Sequence, residues 1–102
     1  MSEIFKALAD PTRRRVLQLL RERPMTAGEL AEQFPFSKAT MSAHFAVLRE
    51  ADLVASDKRG TSITYSLKLS VLEDGLLAFA ETLGIGTSKV RASTIISTEE
   101  KG

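Results

Sequence analysis

The sequence predicts a mainly α-helical domain of the α+β class, with one two-stranded β ribbon placed before the last helix. Three observations predict it. Apolar residues recur at helical spacing through most of the first fifty positions and again after residue 70. Between about 53 and 67 the spacing changes to alternation. Residues with capping chemistry stand where most of the helical stretches begin.

Ser2-Glu3 can open a short first helix that carries Ile4, Phe5 and Leu8 on one face. It must stop near Asp10-Pro11, because proline disfavours the α conformation in the residue before it. The same pair starts a second helix, with Asp10 as N-cap and Pro11 at the first helical position. That helix runs to about Arg21 and buries Val16, Leu19 and Leu20. Pro24-Met25 makes a break. Thr26-Ala27-Gly28-Glu29 then reads as a capping box, opening a third helix to about Phe34 with Leu30 and Phe34 as its i, i+4 pair. Pro35-Phe36 turns the chain, and Ser37 caps a fourth helix that reaches about Ala51 and buries Met41, Phe45 and Leu48.

Leu53–Ser56 reads as a strand and Asp57-Lys58-Arg59-Gly60 as a turn. In the return strand Ile63, Tyr65 and Leu67 alternate with Ser62, Thr64 and Ser66, giving one buried and one wet face. Ser70-Val71-Leu72-Glu73 reads as a second capping box, opening a helix to about Leu83 that aligns Leu72, Leu76, Phe79, Ala80 and Leu83. Residues 1–84 thus form one domain. Residues 85–102 carry no sustained period and read as a flexible tail, although Val90 and Ile95-Ile96 leave room for ordering.

A chain of 102 residues is about one domain long and can bury a core. It has no apolar run long enough to span a bilayer and no secretory signal pattern, which predicts a cytoplasmic protein without membrane contact. The absence of cysteine excludes disulfides, thiolate metal sites and thiol redox chemistry. A net charge of +1 does not by itself announce a nucleic-acid partner, so that reading rests on how the charges are distributed. One histidine, no nucleophile elbow and no phosphate-binding glycine loop give no support to an enzyme.

The predicted order, four helices, a β ribbon and a final helix, is that of a winged helix-turn-helix. Three segments also resemble the ArsR family of bacterial repressors. Phe5-Lys6-Ala7-Leu8-Ala9-Asp10-Pro11-Thr12-Arg13 resembles its opening. Ser37–Phe45, continued by Val47–Val54, resembles its recognition helix and the entry to its wing. Lys58-Arg59-Gly60 through Tyr65-Ser66-Leu67 resembles the wing itself. The match spans roughly residues 3–84 and is most similar to the metal-independent autorepressor branch. The resemblance implies a homodimer on double-stranded DNA, repressing from a palindromic operator, with the first and last helices forming the dimer interface.

The departures bear on sensing. Metal-sensing members carry a cysteine-rich run on the third helix, where this chain has Glu29–Phe34. Others carry an Asp/His set on the last helix, where this chain has only Glu73, Asp74 and Glu81. A zinc site takes about four ligands, so no metal site and no cofactor is expected. Ala43 stands where relatives often have a second histidine beside the one retained as His44.

On the fourth helix Ala39, Ser42, Ala43, Ala46 and Glu50 lie opposite the Met41/Phe45/Leu48 stripe. A purely structural surface helix would normally carry long charged side chains there, whereas small ones let a helix sit deep in a major groove about 12 Å wide. Lys38, Thr40 and Ser42 can then bond base edges or phosphates, and Ala39 or Ala43 can meet thymine methyls. His44 reads either as a hydrogen-bonded boundary residue or as a DNA contact. Lys58, Arg59 and Gly60 make either an ordinary charged turn or a tip that reaches phosphates or the minor groove. Cations are disfavoured at a helix start, so the Arg13-Arg14-Arg15 run needs a use. Phosphate contact by Arg14 or Arg15 and salt bridges to acidic side chains both fit.

Ile4, Phe5, Leu8, Leu72, Leu76, Phe79, Ala80 and Leu83 offer more apolar surface than a small core needs. With the resemblance, they are the expected dimer interface, and Gly75 suits close helix approach there. Two further readings stay open: a winged-helix module that binds another protein, and a repressor responding to a non-metal ligand.

Overall fold

The computed structural model describes residues 2–85. They form α1 (Ser2–Leu8), α2 (Pro11–Glu22), β1 (Met25–Thr26), α3 (Ala27–Ala31), α4 (Lys38–Glu50), β2 (Val54–Arg59), β3 (Ser62–Leu67) and α5 (Leu69–Thr82). The expected tail beyond Ile85 lies outside the described residues. The described residues divide into two compact units, 2–72 and 73–85.

Capping chemistry sets the helix starts in the first unit. The Asp10 carboxylate accepts the backbone N–H of Arg13 at 3.1 Å, as an N-cap should. Thr26 and Glu29 close the expected capping box: Thr26 Oγ1 accepts from Glu29 N at 3.0 Å, and Glu29 Oε1 accepts from Thr26 N at 2.8 Å. The hydrogen bond from the Thr26 backbone, aided by the Arg23 guanidinium, holds the Glu29 carboxyl below its usual range. Ser37 caps α4 by accepting Thr40 N at 3.1 Å.

Helix ends are equally local. The C-terminus of α4 closes as a Schellman motif: Leu53 N donates to Leu48 O and Asp52 N to Arg49 O. Asp52 takes the left-handed position usual for glycine, at φ 61°. Its carboxylate accepts from Lys68 Nζ at 2.6 Å, where the chain returns to the root of the ribbon after β3. The third helix is shorter than expected, ending at Ala31 and not near Phe34. Gln33 N and Phe34 N bond back three residues, to Leu30 O and Ala31 O, so the chain tightens toward Pro35 instead of continuing the α-helix.

The sheet differs from expectation in two ways. It has three strands in the order β1-β3-β2, not two, because Met25 pairs with Tyr65 and Thr26 with Thr64. A two-residue strand is too short to show alternation. In addition, β2 continues through Arg59, which pairs with Ser62. Lys58 and Arg59 are therefore strand residues, and the loop is only Gly60-Thr61. Gly60 has φ 60°, the left-handed conformation that a two-residue hairpin loop requires of glycine.

The core of the first unit is built from Val16, Leu17 and Leu20 of α2, Leu30 of α3, Met41, Phe45 and Leu48 of α4, and Leu53, Val54 and Tyr65 of the ribbon. Leu17 is buried in place of the expected Leu19, which packs on the edge of this core. Phe45 and Tyr65 bring their rings to 4.9 Å, tying α4 to the middle strand. Leu30 and Leu48 are fully buried, so α3 and α4 are held as one block.

Helix α5 begins at Leu69, and Ser70 is not its cap: Lys68 O accepts from Val71 N and Leu72 N. Lys68 N is itself bonded to Leu53 O at 2.8 Å, so the chain leaves the ribbon directly into the helix. Along α5, Gly75 and Ala80 are buried while Leu76, Phe79 and Leu83 are exposed.

Candidate nucleic-acid interface

Helices α3 and α4 and the turn between them form a helix-turn-helix, and α4 is strongly two-faced. Met41, Phe45 and Leu48 are buried, whereas Lys38, Ala39, Thr40, Ser42 and Ala43 are all exposed. The exposed side carries one alkyl-ammonium group, two hydroxyls and two methyls, so nothing bulky shields the helix backbone from an approaching surface. Thr40 Oγ1 accepts from Ser37 Oγ at 3.0 Å, which leaves the Thr40 hydroxyl proton to donate outward. Lys38 and Ser42 also line an open cleft between α3 and α4, of about 210 Å³, whose floor is Met41 and Phe45.

The ribbon supplies the second element. Lys58, Arg59 and Gly60 are exposed at its tip. Arg59 Nε lies 3.0 Å from Asp57 Oδ2, two residues back on the same side of the strand. Both partners are largely solvated, 81% and 62% exposed, so this pair is loose and readily exchanged for another anion. Lys58 points to the opposite side of β2.

Within the chain, two arginines of the run bond backbone carbonyls. Arg14 Nη1 donates to Leu8 O at 2.7 Å, and Arg13 donates to Lys6 O and Ala7 O at 2.8 and 2.9 Å. Both close the last carbonyls of α1, a site where cations are favoured. Arg15 bonds Gln18. Arg14 remains exposed at the start of α2, with one of its nitrogens committed to this cap.

A cluster that sequence reading missed joins these helices. Arg13 Nη1 lies 3.1 Å from His44 Nδ1, and the Asp10 carboxylate lies 3.9 Å from the same nitrogen. Both partners are more than thirty positions from His44 along the chain, and no local pattern joins them. Partial burial pushes the Asp10 carboxyl up. The hydrogen bond from Arg13 N, the neighbouring His44 when protonated, Thr12 N and the Arg13 guanidinium outweigh this and hold it below its usual value. His44 is half-buried and sits at the boundary between this cluster and the exposed face.

The expected interface residues divide by position. Ile4, Leu8 and Leu72 pack against the core of the first unit while staying partly exposed, and Phe5 is half-buried. In the second unit Leu76, Phe79 and Leu83 are exposed, with Ile85 extending the patch, whereas Ala80 is already buried within the single chain. Among the described residues no three His, Cys, Asp or Glu side chains come together as a metal site. No helix among them is long and apolar enough to cross a membrane.

Comparison with known proteins gives this geometry a family. A helix-turn-helix domain family matches residues 8–57. The chain is 43% identical over 76 residues to the transcriptional repressor SdpR of Bacillus subtilis, covering 74% of this chain and 84% of that protein. It superposes on the crystal structure of an ArsR family transcriptional regulator with a TM-score of 0.75 and 31% identity, covering 82% of this chain and 92% of the other. The chain belongs to the ArsR family of helix-turn-helix transcriptional regulators. Other ArsR-family similarity includes the arsenical resistance operon repressor of Staphylococcus aureus, 36% identical over 72% of this chain and 71% of that protein. The structure of NolR from Sinorhizobium fredii is also similar, with a TM-score of 0.65 and 29% identity over 81% of this chain and 83% of that one. These relatives are regulators and not enzymes, and the exposed face of α4 falls inside the matched helix-turn-helix. In this ArsR-family chain the winged architecture and the DNA-binding class are therefore established together.

Proposed function

We propose that this protein is a cytoplasmic transcriptional repressor that binds a palindromic operator as a homodimer, without a metal or thiol sensor. The observation that carries the reading is the exposed small-residue face of α4, backed by a fully buried stripe that fixes the helix in place. Thr40 and Ser42, in its N-terminal half, read base edges from the major groove, Ala39 and Ala43 face thymine methyls, and Lys38 meets phosphate. Lys58 and Arg59, flanking Gly60 at the ribbon tip, hold the backbone or enter the minor groove beside it. Arg14 adds a phosphate contact through the guanidinium nitrogens not committed to Leu8.

The dimer is supported by Leu76, Phe79 and Leu83, an apolar row that a lone chain leaves wet, together with the partly exposed Ile4, Phe5, Leu8 and Leu72 of the other elements. Ala80 backs that row. Two copies related by a two-fold axis would present two α4 helices to two half-sites about one helical turn apart. Metal independence rests on the donor set. One histidine, no cysteine and scattered carboxylates do not fit the tetrahedral site that a zinc sensor needs.

Sedimentation combined with duplex binding tests the assembly. Wild type is expected to sediment as a dimer at micromolar concentration, and Phe79→Glu to lose dimer and duplex affinity together. A wild-type species of 11.1 kDa at that concentration contradicts the reading. Binding of another protein, with no salt-dependent duplex binding, would favour the interaction module.

A further inference from the structure

Arg13 sends its guanidinium in three directions at once. Nε and Nη2 close the carbonyls of Ala7 and Lys6 at the end of α1, while Nη1 crosses to Nδ1 of His44 on α4, 3.1 Å away. A guanidinium has only donors, so Nδ1 must be the acceptor, with its lone pair directed at Arg13. The single proton of the neutral ring then sits on Nε2. Asp10 Oδ2 is 3.9 Å from Nδ1, beyond hydrogen-bond reach, so Arg13 and not Asp10 determines the tautomer.

Nε2 has an outlet. The His44 side chain is only 16% exposed, and among the described residues nothing bonds Nε2. Yet no buried side-chain nitrogen or oxygen among the described residues lacks a partner, which means that Nε2 reaches solvent. His44 follows Thr40 by four positions, so the ring lies one turn further along the same flank of α4. The available proton thus borders the exposed face of the helix.

We propose that Arg13 is a positioning residue that locks His44 as the neutral Nε2–H tautomer, so that the ring meets the DNA backbone as an uncharged hydrogen-bond donor to a phosphate oxygen. The proposal rests on the reading of α4 as the DNA-binding helix. The 3.1 Å approach of the guanidinium requires a lone pair on Nδ1, and that geometry specifies the tautomer. A neutral donor also has a distinct signature. It adds affinity without displacing a counterion, whereas an imidazolium would contribute to the salt slope like a lysine.

His44 is the sole histidine of the chain, so the imidazole nitrogen spectrum of the full-length protein needs no assignment. At mildly alkaline pH, free wild type is expected to show Nδ1 as an unprotonated acceptor and Nε2 as the protonated nitrogen. Arg13→Gln is expected to give a mixture of tautomers. An Nδ1–H tautomer in wild type overturns the proposal whether or not the variant folds. For the phosphate contact, two isosteres are compared on a mixed-sequence duplex across a salt series. His44→Gln keeps an N–H near the place of Nε2, while the shorter amide of His44→Asn can face Arg13 near Nδ1 but puts no N–H at the place of Nε2. His44→Asn is expected to bind on the order of tenfold more weakly for each protomer's phosphate bond, as removal of a hydrogen bond to a charged group implies, with His44→Gln retaining most of the affinity and neither changing the slope. Unchanged affinity in His44→Asn, or a slope lowered by about 1 per protomer, overturns the proposal. If wild type binds no duplex, the DNA-binding reading has failed and the phosphate contact falls with it, while the spectrum still decides the role of Arg13.

Discussion

Replacing Arg59 by alanine should weaken DNA binding without changing which sequence is preferred. Arg59 lies at the end of β2 beside the Gly60-Thr61 loop, far along the ribbon from its buried root at Val54, and among the described residues its side chain pairs with the exposed Asp57. An exposed pair of this kind is worth at most about 1 kcal/mol, so a phosphate can take the guanidinium from Asp57 cheaply. Each phosphate neutralised on B-DNA contributes about 0.9 to the slope of log affinity against log salt, and a dimer places two tips, so the slope should fall by about 2 in the variant. Between 50 and 200 mM salt each such phosphate is worth roughly a 3.5-fold change, and the pair roughly twelvefold. The ratio of wild-type to variant affinity should therefore shrink by about that factor over the range. Asp57→Asn supplies the opposite perturbation: it frees Arg59 and removes a carboxylate from the tip, so binding should tighten. Fluorescence anisotropy with operator and scrambled duplexes over a salt series measures both. If Arg59→Ala abolishes discrimination between the two duplexes at unchanged slope, the tip reads bases and the division of labour is reversed.

Thr40→Ala should relax sequence preference, with each hydrogen bond to a base edge that it removes costing on the order of 1–3 kcal/mol on the preferred duplex and little on random DNA, as competition binding would show. Equal weakening on both duplexes would place Thr40 on the backbone. Leu48→Ala empties a fully buried site that also closes the end of α4 against Leu53, and chemical denaturation should register a destabilisation of about 2–5 kcal/mol. Asp10→Asn keeps a good N-cap and removes only its charge, with an expected cost of about 0.3–1 kcal/mol near neutrality. Because the folded pKa of Asp10 is depressed, that difference is complete above its ordinary value of 3.8 and disappears as pH falls through the lowered one, which denaturation curves across acid pH would follow. Stoichiometric zinc should leave duplex affinity unchanged, and a decrease reversed by a chelator would contradict the donor-set argument.

Much of this fold is legible because its instructions are local. Asp10-Pro11, Thr26 with Glu29, and Ser37 each start a helix through bonds spanning three residues, and the Met41/Phe45/Leu48 stripe already orients α4. What escapes sequence reading depends on distant partners. Met25-Thr26 becomes a strand only because β3 lies beside it, and Ser70 loses its capping position because Lys68 is tied to Leu53. Lys58 and Arg59 look like turn residues by composition, yet the register with Ile63 and Ser62 extends the strand through them. Helical spacing alone names Ala39, Ser42, Ala43 and Glu50 as exposed on α4, while Ala46, expected on the same face, is half-buried. The Asp10–Arg13–His44 cluster could not be read this way, since it forms only when the start of α2 meets the side of α4. The nearest sequence signal was the arginine run at a helix start, which marked an unmet need without revealing that α1's own carbonyls meet it.

The central claim, that two copies of this chain read a symmetric DNA site through α4, is tested most directly by selecting bound duplexes from a random pool with the full-length protein. The expected result is an enriched consensus made of two inverted half-sites, their centres about one helical turn or a multiple of it apart, with Thr40→Ala degrading both halves alike. Enrichment of an asymmetric or single half-site, or no enrichment above background, would contradict it.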